Sequence, residues 1–407
     1  MSPEPASRLP PVFKRLGWSN LFAQLSEQVT LAAAPLVAVL LFGATGAETG
    51  LLQTAQSLPF LLLSIPAGVL ADRWSRRKLM AGAEALRAAS VLGTLLLIVS
   101  GSLDLQLLAV LGFVGAVGTV AYSVAPPALV PLLVPREQLA AANRALELAR
   151  SAAFSAGPAV GGAFVGWMGA SSAYVLATTM SLLAVVLLAG IREPARALGP
   201  RRRLLHELRE GAAFVGTHAL LRPVLITSVF FNLAWFTFQA VYVVYAVDHL
   251  GLTATGVGVT LGVYGAGMAT CALAAPWLAT RLSFGAMVGC GPLGALVASA
   301  LMLLTIRFPS LGLACVSFFL FGGGPMLWFI STMTLRQAVT PNPMLGRVSA
   351  ILMTAGFGSR PVGAALGALV AARFGVEACL AVSAAGFAIQ FVVLFMSPVR
   401  RLKALPA

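Results

Sequence analysis

The sequence predicts an all-α membrane protein of twelve transmembrane helices arranged as two pseudo-symmetric six-helix bundles. Three observations carry the helical membrane class, while the division into two bundles rests on a weak similarity between the halves and on a loop motif. Hydrophobic residues make up 59% of the 407-residue chain and charged residues 10%, against about 25% charged in a soluble domain, and mean hydropathy is +0.92. Apolar runs of membrane-crossing length, roughly 20 residues, recur from end to end, without the short alternating segments of a transmembrane barrel. The charges gather in the short segments between those runs.

The runs place spans at 16–42, 50–71, 78–100, 105–124, 145–168, 171–191, 223–247, 255–279, 284–306, 309–334, 346–371 and 376–397. An even number puts both termini on one side. Arg8, Lys14 and Arg15 precede the first span, and Arg400, Arg401 and Lys403 follow the last. The segment between the sixth and seventh spans carries Arg192, Arg196, Arg201, Arg202, Arg203, Arg209 and Arg222. The opposite loops hold only Arg307 and Arg373 as bases, beside Glu48, Asp104, Asp248 and Glu377. That asymmetry assigns the termini and the central segment to the cytoplasm of an inner-membrane protein. The expected division is a first bundle over 1–191, a linker over 192–222 and a second bundle over 223–407. Within the linker, Leu204, Leu205, Leu208, Ala212 and Phe214 alternate with charges at helical spacing, as in an amphipathic helix lying on the membrane surface.

The composition also excludes several classes. The net charge of +14 resides in short loops rather than on one soluble face, so lipid headgroups rather than nucleic acid are the expected anionic neighbours. Cys271, Cys290, Cys315 and Cys379 fall within spans without metal-ligand spacing, and His206, His218 and His249 are scattered. Neither a metal site nor a catalytic triad is expected. No Gly-Lys-Ser/Thr phosphate loop is present, which argues against an ATP motor. The expectation is a non-enzyme without cofactors. Asn20, Gln24, Glu27 and Gln28 interrupt the first apolar run, which suits a retained span better than a cleavable signal.

The two halves show weak similarity. Pro135 to Gly166 compares with Pro341 to Leu369, with Gly157-Pro158 opposite Arg360-Pro361 as paired bends. Related halves imply a substrate site near the midplane, about which the halves rock.

Two motifs narrow the class. The segment Gly68-Val69-Leu70-Ala71-Asp72-Arg73-Trp74-Ser75-Arg76-Arg77-Lys78 puts one acid and four bases between two spans. It resembles the signature loop between the second and third helices of major facilitator superfamily transporters. Ser75 stands where that family usually has Gly, which leaves a left-handed turn there in question. The resemblance implies a cytoplasmic gate of Gly68, Asp72, Arg73, Arg76 and Arg77, with Asp72 near the start of the eleventh span around Leu345 to Ser349. In the fifth span, Gly157-Pro158-Ala159-Val160-Gly161-Gly162 resembles the Gly-Pro-x-x-Gly-Gly motif of drug–proton antiporters in that superfamily. The fuller motif has glycines further upstream, where this chain has Ala153 and Arg144. Gln24-Leu25-Ser26-Glu27-Gln28, Glu84-x-x-Arg87, Asn143 and the linker wording Leu208-Arg209-Glu210-Gly211 extend the resemblance to the twelve-span drug–proton antiporter branch. That branch includes macrolide-efflux and enterobactin-export proteins. The resemblance implies the major facilitator fold and proton-coupled export of a hydrophobic drug-like compound or secondary metabolite. Its partners would be a small-molecule substrate, protons and membrane lipids, and the protein would be a monomer. Siderophore export and solute import by the same fold remain open, as does a non-transporting membrane scaffold.

Candidate site residues follow from polarity inside spans. Asn20, Gln24, Glu27 and Gln28 share one helical face. A charged acid at mid-span costs roughly 2.5–3.5 kcal/mol, a cost that falls away if Glu27 takes a proton, so Glu27 is the candidate coupling acid. A structural carboxylate hydrogen-bonded to a neighbour is the alternative. Glu84 and Arg87, three apart on one helix, are expected to pair. Arg144, Glu147 and Arg150 form a stripe at the cytoplasmic end of the fifth span, as a gate contact or as plain surface pairing. Arg360 lies deep in the eleventh span without a local acid, so it must find Glu27, an anionic ligand or water. Asn232, Trp235, Gln239 and Tyr242 share a face of the seventh span and suit an amphipathic organic ligand. In the tenth span, Phe318, Phe319, Phe321, Trp328 and Phe329 suit a lipid-facing wall better.

Overall fold

The computed structural model describes residues 9–123, 126–135, 138–191, 204–341 and 344–406. Among them the chain is helical, without strands. The helices are α1 (Pro11–Phe42), α2 (Gly46–Arg73), α3 (Arg76–Val99), α4 (Leu105–Ser123), α5 (Pro126–Leu133), α6 (Leu139–Met168), α7 (Ala170–Ala189), α8 (Leu204–Thr217), α9 (Leu221–Asp248), α10 (Ala254–Arg281), α11 (Phe284–Leu304), α12 (Leu311–Val339), α13 (Leu345–Phe374) and α14 (Val376–Met396). All but α5 and α8 are long, and those twelve coincide with the twelve expected spans. Nine are long and apolar enough to cross a membrane by composition. The other three, α2, α6 and α13, lie where the two halves meet. Two features were not foreseen. The apolar run Pro126–Leu133 forms a separate short helix, and α6 begins at Leu139, ahead of the apolar run at 145. Leu139 and the three alanines after it are strong helix formers, so the helix starts ahead of the apolar run.

Polar side chains cap α2, α3, α10, α11 and α12. Thr45 and Glu48 form a reciprocal capping box at α2, with Thr45 donating N–H and O–H to the Glu48 carboxylate at 2.8 and 2.9 Å and Glu48 N–H donating back. Those hydrogen bonds hold the Glu48 carboxyl below its ordinary pKa. Ser75 caps α3 by accepting from Lys78 N–H at 3.2 Å, with φ −59°. The turn there is therefore not left-handed, and serine serves it as a cap.

The packing repeats between halves. In the first half α1 packs on α6 and α7, and in the second α9 packs on α13 and α14. The corners from α6 to α7 and from α13 to α14 each turn on one glycine, Gly169 (φ 82°, ψ 170°) and Gly375 (φ 83°, ψ 173°), a region that favours glycine. Counting back from these corners pairs Gly157 with Gly363 and Gly161 with Gly367. The contacts agree. A Cβ on Gly157 or Gly161 would strike Gln28 or Val29 of α1, and one on Gly363 or Gly367 would strike Leu233 or Ala240 of α9. Pro158 and Pro361 are thus not equivalent, and the expected pairing of Gly157-Pro158 with Arg360-Pro361 is corrected. The bulk-excluding glycines set the repeat, and the prolines do not.

Between the halves, α2 packs most extensively on α13 and α6 on α10. The close approaches run from mid-span, where Gly265 meets the Ser155 backbone, to the end opposite the termini. A Cβ on Gly50 would lie 2.7 Å from Ala368, and one on Gly162 would lie 2.5 Å from Gly258 Cα. The halves are therefore shut at that loop end. At the terminus-bearing end, α8 docks on the first turn of α13. A Cβ on Gly211 would meet Arg347 at 3.1 Å, and Arg347 pairs with Glu210. The linker helix expected from the sequence thus forms, and it leans on the second half.

Candidate functional site: an ion cluster and an aromatic seam

α1 supplies Glu27, and α3 supplies Glu84 and Arg87 one turn apart. The Arg87 guanidinium donates to Glu84 Oε2 at 2.5 Å, to Glu27 Oε2 at 3.2 Å and to the Ala23 carbonyl at 2.6 Å. Glu84 is fully buried and Arg87 nearly so, while the Glu27 side chain keeps 18% exposure. Two carboxylates share one guanidinium, and Glu84 Oε1 has no partner among the described residues. The expected Glu84–Arg87 pair is present. Of the three partners open to Arg360, Glu27 is not the one, because Arg87 reaches across to α1 and takes that carboxylate.

The rest of the α1 polar face divides. Gln24 is half-buried, but Asn20 and Gln28 are buried. Gln28 fills the notch that Gly157 leaves in α6, so it packs helices rather than facing open space.

Arg360 lies on the seam between halves. Its Nε donates to Asn232 Oδ1 at 3.2 Å, and Asn232 is oriented by donating to the Ser228 carbonyl at 3.0 Å. Three rings surround the guanidinium: Phe357 at 4.1 Å, Phe236 at 5.3 Å and Phe60 at 5.4 Å from its carbon, within cation–π range. Phe60 comes from α2 in the other half and meets Phe357 edge-on at 6.1 Å. Beside this seam, Trp235 stacks on Tyr264 at 4.9 Å. Tyr242 is corrected as a lining residue. It is fully buried, bonded to Thr260 and packed on Phe318, because the ring points into the second half's own core. Gln239 is half-buried. The tenth-span aromatics split between two environments. Phe318, Phe321 and Trp328 are buried, whereas Phe329 is exposed as lipid-facing residues are.

Of the gate residues, the side chains of Gly68, Asp72, Arg73 and Arg144 lie outside the described residues. Arg76 is buried at the start of α3. Arg77 donates to the Ala189 and Ile191 carbonyls, and Arg15 donates to that of Gly190. Together they satisfy the C-terminal end of α7 and line a cleft of about 570 Å³ with Val12. Glu147 and Arg150 pair at 3.7 Å on an exposed face. No group of three or more metal-ligating side chains occurs among the described residues. The antiporter-motif glycines divide their work, Gly157 and Gly161 admitting α1 while Gly162 admits α10. Phe60, Phe236 and Phe357 were not singled out from the sequence. They are far apart in the chain, and no local pattern joins them.

Twelve long helices in two related halves, with charge buried at their centre, define a transporter of the major facilitator class. The chain belongs to the transmembrane secretion effector family, whose model matches residues 7–406. It is 25% identical over 336 residues to macrolide efflux protein A of Streptococcus pyogenes, covering 79% of this chain and 80% of that one. It is 27% identical over 215 residues to the multidrug efflux pump Tap of Mycobacterium tuberculosis, covering 50% and 51%. A bacterial homologue of the iron transporter ferroportin shares the fold, with a TM-score of 0.74 at 16% identity, covering 94% of this chain and 98% of that one. A bacterial homologue of the lysosomal transporter Spinster gives 0.72 at 14% identity, covering 96% of each. The protein is a multi-pass membrane transporter, not an enzyme.

Proposed function

We propose that the protein is a proton-coupled exporter of hydrophobic drug-like compounds or secondary metabolites, working by alternating access as a monomer in the inner membrane with both termini in the cytoplasm. The observation that carries the coupling is the sharing of Arg87 by Glu27 and Glu84. With both acids charged the cluster bears one unpaired negative charge in a low-dielectric interior, which is costly. One proton neutralises it. Glu27 is the less buried of the two acids, at 18% side-chain exposure against none for Glu84, so it is the carboxylate that loads and releases. Loading would release Glu27 from Arg87 and loosen α1 from α3. The export direction is supported by the likeness to efflux proteins and by the Gly157-Pro158 motif. The charged loop around Asp72 serves as the cytoplasmic gate in this reading. The energetics suffice. One proton crossing 100 mV supplies about 2.3 kcal/mol and a pH unit about 1.4, enough for a gradient of roughly several hundred-fold.

The test is uptake of ethidium, erythromycin and 9-anthracenecarboxylate into inverted vesicles energised by respiration. The expected result is uptake of at least one compound, abolished by a protonophore and by Glu27→Gln, with the protein still inserted at normal level. Uptake that survives either treatment would remove the coupling role of Glu27. Accumulation only in right-side-out vesicles would make the protein an importer.

A further inference from the structure

We infer that Arg360 is a docking point for the anionic end of the substrate, and that the class of compound carried is an aromatic or strongly apolar organic acid. The inference rests on the transport reading above and names its ligand chemistry.

A guanidinium offers five N–H donors in a planar fork. Arg360 uses one, its Nε, on Asn232. Its two terminal nitrogens make no hydrogen bond among the described residues, and they are absent from the sealed, unpartnered polar atoms that include the Nε of Arg87 and Arg336. The fork is therefore not fully sealed, and Arg360 as a whole is half-buried. Among the described residues no carboxylate lies within ion-pair distance of it, since Glu27 is held by Arg87. A mid-span cation of this kind must meet an anion or water.

The surroundings select which anion. Phe60, Phe236 and Phe357 wall the guanidinium, with Trp235 and Tyr264 stacked nearby. Three rings on a cation leave its edge, not its faces, for a partner. A carboxylate meets that edge through two parallel N–H···O bonds, while its apolar body lies against the rings. A small hydrated anion could satisfy the charge but would leave the rings uncovered. A cation would be repelled. Asn232 prepares the site, because its bond to Nε fixes the plane of the fork and so the direction from which the carboxylate arrives. Phe60 belongs to the first half and Phe357 to the second, so the ligand sits where rocking of the halves opens or closes the seam.

The experiment measures binding of three isosteric probes to the full chain in nanodiscs by energy transfer from tryptophan. The probes are 9-anthracenecarboxylate, neutral 9-anthracenemethanol and cationic 9-(aminomethyl)anthracene. Wild type should bind the carboxylate roughly 10- to 100-fold more tightly than the alcohol, the range for a hydrogen-bonded pair with a charged group. Arg360→Gln should bring the carboxylate down to the level of the alcohol, with insertion level and Tm near wild type as the check on folding. Arg360→Lys should keep only part of the preference, because an ammonium lacks the fork. Should Arg360→Gln fail to fold, Asn232→Asp supplies a resident carboxylate beside Arg360 and should cut carboxylate binding alone. Equal or better binding of the amine by wild type, or a carboxylate preference that survives in Arg360→Gln, would overturn the inference while leaving proton-coupled export standing. Failure of wild type to bind all three probes would remove the inference and the aromatic ligand site of the export reading together.

Discussion

Gly162→Ala should open the loop end of the protein without unfolding it. A Cβ at this position would lie 2.5 Å from Gly258 Cα, 2.8 Å from the Ala254 carbonyl oxygen and 2.9 Å from Gly258 N. Those atoms are backbone and cannot swing aside. Ordinary Cβ contacts start near 3.4 Å, so α6 and α10 must separate by about 1 Å at this level, as small-residue contacts between membrane helices set their spacing. Overpacking of this kind costs about 1–3 kcal/mol. Because the contact joins the two halves, the cost falls on the state shut at the loop end. The population of that state should fall by roughly 5- to 150-fold relative to the open one. Global stability should change little, since alanine favours the helix by about 1 kcal/mol over glycine. The assay is a distance distribution between spin labels at Ser102 and Arg307, exposed on opposite halves at the loop end, in a background with its four native cysteines replaced. A second, longer population is expected in Gly162→Ala. The same is expected in Gly258→Ala, where the added Cβ would lie 2.8 Å from Gly162 Cα. Gly82→Ala, with nothing within 4 Å, is the control. An unchanged distribution in both variants, with wild-type uptake rates, would refute the reasoning.

Gly157→Ala presses on Gln28 inside one half, so it should lower Tm by the equivalent of about 1–3 kcal/mol while leaving the label distances unchanged. Ser75→Ala removes the α3 cap and should cost about 0.5–2 kcal/mol in thermal unfolding, with Ser75→Gly nearer a few tenths. His218 Nδ1 accepts from Leu220 and Leu221 N–H at the start of α9, and burial lowers its pKa below 6.5. The folded state thus binds fewer protons than the unfolded one, so stability is full above pH 6.5 and is lost as pH falls through that value toward the folded pKa. Tm measured from pH 7.5 to 5.5 should drop in wild type and flatten in His218→Ala, and equal slopes would discount the cap. Asp72→Asn should slow export at normal expression if the signature loop gates the cytoplasmic end, and unchanged flux would count against that gate.

The elements were legible in the sequence because their cause is local. A backbone in hydrocarbon must satisfy its own hydrogen bonds, so twenty apolar residues are enough to call for a helix. The Glu84–Arg87 pair was legible for the same reason, since residues three apart meet on any helix. So was the linker helix, whose α8 carries charge and apolar residues in alternation. What the sequence left open was the azimuth of each span and its neighbours. A span that is apolar all round has no stripe to say which side faces protein. Hence Glu27 finds Arg87 of α3 instead of Arg360, Gln28 packs into the notch at Gly157, and Tyr242 turns into the core of its own half. The repeat register was misread for a related reason. Prolines stand out by eye, whereas the equivalence is set by Gly169 and Gly375, whose positive φ appears only once the corners are built. The ring of Phe60, Phe236 and Phe357 about Arg360 joins three helices across both halves. Only the packing of α2 and α9 against α13 brings it together, because helices in a membrane are matched by shape and close approach rather than by any pattern along one of them.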